Sequence, residues 1–178
     1  MITYITYLSE YKASQLDPNS ETALISIADP GHAPPGIFPQ GWGMFYQDFF
    51  IDGDYDADLI RTFGEHFHES FSGYMQKEQA SQMKAFVHDV LNNPEIEHLV
   101  VHCTAGRSRS AAVAQYASDI TEIVPVGDFG ISGMNTMVYK MLHNPGMFSE
   151  LTAQPPSNDE PQPRYAHLLQ KMLTRLFR

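Results

Sequence analysis

The sequence predicts an α/β domain with a mostly parallel central sheet flanked by helices. Three observations predict it. Short apolar, strand-like runs alternate with longer segments of helical spacing. The connections between them are rich in glycine, proline, asparagine and aspartate, the residues that break regular structure. One stretch, residues 99–113, passes directly from an apolar strand through a tight polar loop into an alanine-rich, helix-favouring run. The 178 residues suffice for one domain with a sizeable core. That domain is expected over residues 1–150, followed by a Pro-rich linker at 151–163 and an amphipathic helix at 164–178.

Taken in order, residues 2–8 alternate polar and apolar side chains and predict a strand. Ser9 is a capping residue for a short helix over 10–16. A turn cluster at 17–20 leads into a mostly apolar strand over 22–27. The Gly/Pro-dense segment 29–43 is long for a compact domain, and long loops of this kind are commonly functional. Residues 44–51 are aromatic-rich and predict the next strand. Four acids follow within seven residues, Asp52, Asp54, Asp56 and Asp58; the last two suit the first turn of a helix. Helical spacing then runs over 59–71 and 76–91, and Asn92-Asn93-Pro94 closes the second helix. Residues 97–102 predict the strand that enters the central stretch, and a helix follows to about residue 121. A glycine-bearing loop at 125–133 precedes a helix over 134–143, stopped by Asn144-Pro145-Gly146. The final helix, 164–178, carries Leu168, Leu169, Met172, Leu173, Leu176 and Phe177 beside Lys171, Arg175 and Arg178, so it is expected to dock on the domain or a partner, including a second copy of the chain.

Composition narrows the function. No run of 18 or more apolar residues occurs, which argues against a membrane span. The N-terminal residues read as a strand and not as a signal peptide. The single cysteine cannot form an internal disulfide, and a cytoplasmic location is expected. A formal charge of -10 disfavours nucleic acid as a partner, although it leaves room for a small phosphate ester held by a local field.

In parallel α/β sheets ligands bind beyond the carboxyl ends of the strands. That rule gathers the 29–43 loop, the acid-rich turn after Ile51 and the loop after Cys103 on one face. Strand, loop and helix start form an anion cradle, because successive N–H groups and the helix dipole converge. The cradle carries a thiol at its start and a guanidinium at its end. A helix N-terminus and nearby cations lower a thiol pKa from about 8.5 towards roughly 3.5–7.5, producing a thiolate nucleophile. The backbone of Thr104, Ala105, Gly106, Arg107 and Ser108 can line the cradle. Arg109 can fork to two phosphoryl oxygens, and the Ser110 hydroxyl sits where it could donate to the sulfur. A leaving oxygen needs a proton, which a carboxyl on a neighbouring loop could supply. Asp52 is the first candidate, with Asp54, Asp48 and Asp29 behind it.

The run His102-Cys103, five residues, Arg109-Ser110, with Ala105-Gly106 inside the loop, resembles the signature of the cysteine-based protein tyrosine phosphatases. It looks most like the compact dual-specificity and small bacterial or viral members. The resemblance covers roughly residues 22–145. It implies the cysteine-phosphatase fold, Cys103 as nucleophile, Arg109 as phosphate clamp, His102 and Ser110 as tuners of the sulfur, and an aspartate on an earlier loop as general acid. No Trp-Pro-Asp triplet is present; Phe49-Phe50-Ile51-Asp52 resembles the paired acids of small bacterial relatives, with Ile51 at one of the two positions.

The expected substrate is a phosphorylated protein, phosphotyrosine first and phosphoserine or phosphothreonine after it, with no metal or cofactor. Arg107 reads either as a solvent-facing residue or as extra positive charge for a phosphoinositide or other small phosphoester. A rhodanese-like sulfurtransferase and an inactive phospho-residue binder are the competing classes; Arg109-Ser110 after the five-residue gap favours the phosphatase. His66 and His68 are two apart on an expected helix, which splays them away from a shared metal.

Overall fold

The computed structural model describes residues 1–156. They form two compact units, residues 1–54 with 73–145, and residues 55–72 with the segment from Gly146.

The first unit is the α/β layer structure. Its strands are β1 (Tyr4–Ser9), β2 (Thr22–Ala28), β3 (Met44–Phe49), β4 (His98–Cys103) and the two-residue β5 (Val126–Gly127). They make one five-stranded sheet in the order β3-β2-β4-β1-β5, and every pairing is parallel. The α/β expectation holds, with a sheet that is wholly parallel. All seven residues of β2 are buried, as are Leu99 to Cys103 of β4, which fits central strands covered on both faces. On one face, Ala13 of α1 (Glu10–Ala13), Leu24, Ile37 and Val100 form a cluster, with Leu8, Trp42 and Phe45 against it. Tyr46, one residue from Phe45 and so on the opposite face, packs on Phe86 of α4 (Lys77–Asn92), ring centroids 5.2 Å apart. Helix α5 (Arg109–Thr121) packs against β1, β4 and α6 (Thr136–His143). Its alanines, Ala111, Ala112, Ala114 and Ala117, are all buried, so the helix can lie close to the sheet.

Register brings the carboxyl ends together. Ser9 stands beside Cys103, Ser26 beside His102, and Ala28 beside Phe49. β4 lies between β2 and β1, although it follows both in the chain, so the loops leaving these strands flank a crevice above its end.

The second unit contains α2 (Ala57–Phe63), a 3-10 turn (Gly64–His66), α3 (Phe67–Ser70) and α7 (Ser149–Thr152). Asp56 caps α2 as its position implies, accepting from the N–H groups of Asp58 and Leu59. The single helix expected over 59–71 is broken. Gly64 adopts φ 51° and ψ -128°, outside the helical region, and the chain restarts as the 3-10 turn. A Cβ there would lie 2.3 Å from the Gln154 carbonyl oxygen, which accepts the Glu65 N–H at 2.8 Å. Beside the break, the Phe67 and Phe71 rings stack 4.9 Å apart and nearly parallel, and Phe63 meets Phe71 edge-on at 4.9 Å. Other boundaries also differ. β5 lies in a segment expected to be loop, α6 begins two residues later than residue 134, and residues 151–152 of the expected linker close α7. The helix expected over 164–178, with its role in self-association, lies outside the described residues.

Gly64→Ala combines a left-handed backbone with a clash against backbone, and strain of this kind costs about 1–3 kcal/mol. Thermal unfolding should show a loss of that order; an unchanged melting temperature would contradict the assignment of Gly64 as a required break.

Candidate active site

The site is built where β4 ends. Cys103, the last residue of the strand, is buried, and the chain then turns through residues 104–108 into α5. Gly106 makes the turn possible. It has φ 71°, and a Cβ there would lie 2.1 Å from the backbone nitrogen of Ser9. The loop is thus pressed on the β1–α1 junction, where the Glu10 N–H also donates to the Thr104 carbonyl at 3.4 Å.

The thiol is surrounded by donors. Cys103 Sγ lies 3.2 Å from Ser110 Oγ. Burial pushes the thiol pKa up. Hydrogen bonds from the Ser110 hydroxyl and from the backbone N–H groups of Ser110, Gly106 and Ser108 more than offset this, so the thiol titrates below its ordinary value. With sulfur ionised, the Ser110 hydroxyl is the donor of that pair.

Arg109, the first residue of α5, is only 3% exposed. Its Nη1 donates to Asp29 Oδ1 at 2.7 Å and to the Phe50 carbonyl, and its Nη2 donates to Thr104 Oγ1 at 3.2 Å. The Phe50 ring lies 6.0 Å from the guanidinium carbon. Its Nε–H is buried without an acceptor among the described residues. An unpaired buried donor costs about 1–3 kcal/mol, which an oxyanion on the Nε–Nη2 edge would recover.

The four acid candidates separate. Asp48 is buried in β3, where it accepts from the Tyr46 hydroxyl at 3.0 Å, the Gln79 side chain at 2.6 Å and the Phe49 N–H at 2.8 Å. It ties the sheet to the start of α4 and is a structural residue. Asp29, with its side chain 52% exposed, is ion-paired to Arg109 and acts there as an acceptor. Asp54 is exposed and bears electrostatically on Tyr74, whose phenol is raised first by burial and then by that charge. Asp52 is exposed and joins the loop after Cys103 directly, its Oδ1 accepting from Ser108 Oγ at 2.7 Å and from Asn135 Nδ2 at 2.9 Å.

His102 is fully buried on the face of the sheet opposite α4, and neither ring nitrogen has a partner among the described residues. Burial, then the Arg109 charge, lowers its pKa to about 4, so the ring is neutral near pH 7. Among the described residues its ring makes no hydrogen bond to the sulfur. Arg107 and Ala105 are exposed, and Arg107 has no side-chain partner among the described residues. His66 and His68 are exposed in the second unit. Among the described residues no group of three His, Cys, Asp or Glu side chains is placed to hold a metal ion, and no helix is long and apolar enough to cross a membrane.

Two roles escape a sequence reading. Asp29, expected as the last of the candidate acids, is the ion-pair acceptor of Arg109, and Asn135, expected inside the helix over 134–143, is its N-cap. The preference of asparagine for helix N-caps was the available signal for the second. No protein-family model matches the chain, and no curated protein matches it.

The buried His102 makes stability depend on acid. The unfolded histidine protonates near 6.5 and the folded one near 4, so its contribution is complete above pH 6.5 and is lost as pH falls towards 4. Between pH 7 and pH 5 this removes about 2 kcal/mol. Denaturant titrations of the wild type and of a non-titrating His102→Asn variant should differ by that increment; equal acid losses in the two proteins would contradict it.

Proposed function

We propose that the protein is a cysteine-dependent phosphatase that hydrolyses phosphate monoesters, phosphotyrosine in proteins first among them, through a cysteinyl-phosphate intermediate. The observation that carries this reading is the Cys103 cradle. A buried thiol is stabilised as thiolate by three N–H groups and a hydroxyl, beside a buried guanidinium with one N–H unpaired. The wholly parallel sheet, with the cradle at the end of its middle strand, supports the finer assignment to a cysteine-phosphatase fold.

In the first step the Cys103 thiolate attacks phosphorus. The S–P bond forms as the ester P–O bond breaks, and protonated Asp52 gives its proton to the departing oxygen. Loop N–H groups and the Nε–Nη2 edge of Arg109 bind the phosphoryl oxygens, whose charge must be carried throughout. Asp29 and the Phe50 carbonyl hold the other guanidinium nitrogen and so fix the plane of the fork. In the second step Asp52, now a carboxylate, takes a proton from water. The water oxygen bonds to phosphorus, and the S–P bond breaks. The electron pair returns to sulfur, where the Ser110 hydroxyl stabilises the leaving thiolate. The balance is ester plus water giving alcohol plus phosphate, with every residue restored. A thiolate nucleophile with no second cysteine suits a reducing compartment such as the cytoplasm.

Cys103→Ser should abolish release of phosphate from p-nitrophenyl phosphate while retaining vanadate binding. Arg109→Lys, which loses the fork, should cost on the order of a hundredfold. Turnover near wild type in either variant would overturn the mechanism. Asp52→Asn should slow phenyl phosphate by about a hundredfold and p-nitrophenyl phosphate far less, because only the poorer leaving group needs the proton. The same pattern in Asp54→Asn or Asp29→Asn, and not in Asp52→Asn, would move the acid to that residue.

A further inference from the structure

Asn135, at the N-terminus of α6, is buried, and each of its polar groups is engaged. Its side-chain Oδ1 accepts from the N–H groups of Met137 at 3.0 Å and Val138 at 2.9 Å. Its Nδ2 donates to Asp52 Oδ1 at 2.9 Å and to the Gly53 carbonyl at 3.0 Å. Its backbone N–H donates to the Ser108 carbonyl at 3.1 Å. The orientation of the amide follows from these partners. Reversed, it would set an oxygen against a carboxylate and an NH2 against two N–H donors. One residue thus joins three elements far apart in sequence: the phosphate loop, the acid-bearing turn and α6.

What this does to Asp52 follows from the chemistry of a carboxyl group. Protonated, it has one carbonyl oxygen and one hydroxyl. Ser108 Oγ and Asn135 Nδ2 both donate to Oδ1. An oxygen that receives two donors is the carbonyl oxygen, so the proton belongs on Oδ2, which has no protein partner among the described residues. We propose that Asn135 is the positioning residue for the proton donor, holding Asp52 by Oδ1 against the phosphate loop so that Oδ2 carries the proton to be transferred. This rests on the phosphatase reading and on Asp52 as its acid. The acid-bearing turn is thereby docked on the cradle before any ester arrives, and the backbone bond to Ser108 makes cradle and acid move as one piece.

The test separates positioning from folding. Asn135→Ser keeps a side chain suited to capping α6 but is too short to span to Asp52, whereas Asn135→Ala also removes the cap. Phosphate release is followed with phenyl phosphate and with p-nitrophenyl phosphate, in each variant and in the Asp52→Asn background. Both single variants should lose about tenfold or more with phenyl phosphate and less than about twofold with p-nitrophenyl phosphate, with KM for both nearly unchanged. Both variants lose the bonds to Asp52 and Gly53, and Asn135→Ala, which also loses the cap, should lower the melting temperature further than Asn135→Ser. In the Asp52→Asn background Asn135→Ser should add no further loss, because the two residues act through one proton. Equal losses with both substrates, no loss with either, or a full additional loss in the double variant would each overturn the proposal. If Cys103-dependent hydrolysis occurs and Asp52→Asn shows no leaving-group dependence, the acid assignment and this proposal fall while the phosphatase reading stands. If the wild type releases no phosphate from either ester, both fall.

Discussion

A guanidinium removed from water must find acceptors, and the arrangement of the site follows from meeting that need for Arg109. Its partners come from three directions: Asp29 after β2, the Phe50 carbonyl after β3, and Thr104 in the loop after β4. Removing one partner of such a buried charge is costly, so these segments hold one another in place. The sheet order permits it. β2 lies between β3 and β4 and all three run parallel, so their carboxyl ends arrive side by side. The same pairing leaves Nε unmatched, and the residue that organises the crevice therefore retains capacity for an anion.

The two aspartates on and after β3 show how side-chain direction divides labour. Asp48 lies within the strand on the α4 side and saturates its carboxylate with Tyr46, Gln79 and the Phe49 N–H. Asp52, four residues on, has left the ladder and reaches Ser108 in the loop after Cys103 instead. The first spends its acceptor capacity on joining sheet to helix, and the second keeps one oxygen free among the described residues. Such a division of acids by environment is what acid–base chemistry at neutral pH requires.

Legibility from the sequence followed the range of the interactions. The central strand–loop–helix was readable because its cues are local: Leu99-Val100-Val101, then Gly106, then the alanines after Ser110. The strands β1 to β4 were readable for the same reason, and the acid-rich turn lies beside the loop after Cys103, as expected. What was not readable depends on distant partners. β5 is two residues long and exists through pairing with Thr6 and Tyr7, so it carries no pattern of its own. The break at Gly64 depends on backbone near Gln154, and periodicity over 59–71 does not encode it. The Asp29–Arg109 pair spans 80 residues, and the Asn135–Asp52 bond spans 83. The lack of hydrogen bonds at His102 was likewise invisible, since a motif position specifies a residue and not its surroundings.

The cradle's close seat on β1 bears on the life of the chain before it is fully folded. Gly106 is moulded against Ser9 and Leu8, and Ser9 is registered with Cys103, so the curvature that collects three N–H groups around the sulfur is set by the N-terminal strand. Until β1 and β4 pair, a contact made across most of the first unit, Cys103 is an ordinary thiol with a pKa of about 8.5 and is mostly protonated. Oxidation proceeds through the thiolate, so the nascent chain carries this thiol in a masked form. Reactivity and its hazard appear together, and only once the sheet has closed behind the loop.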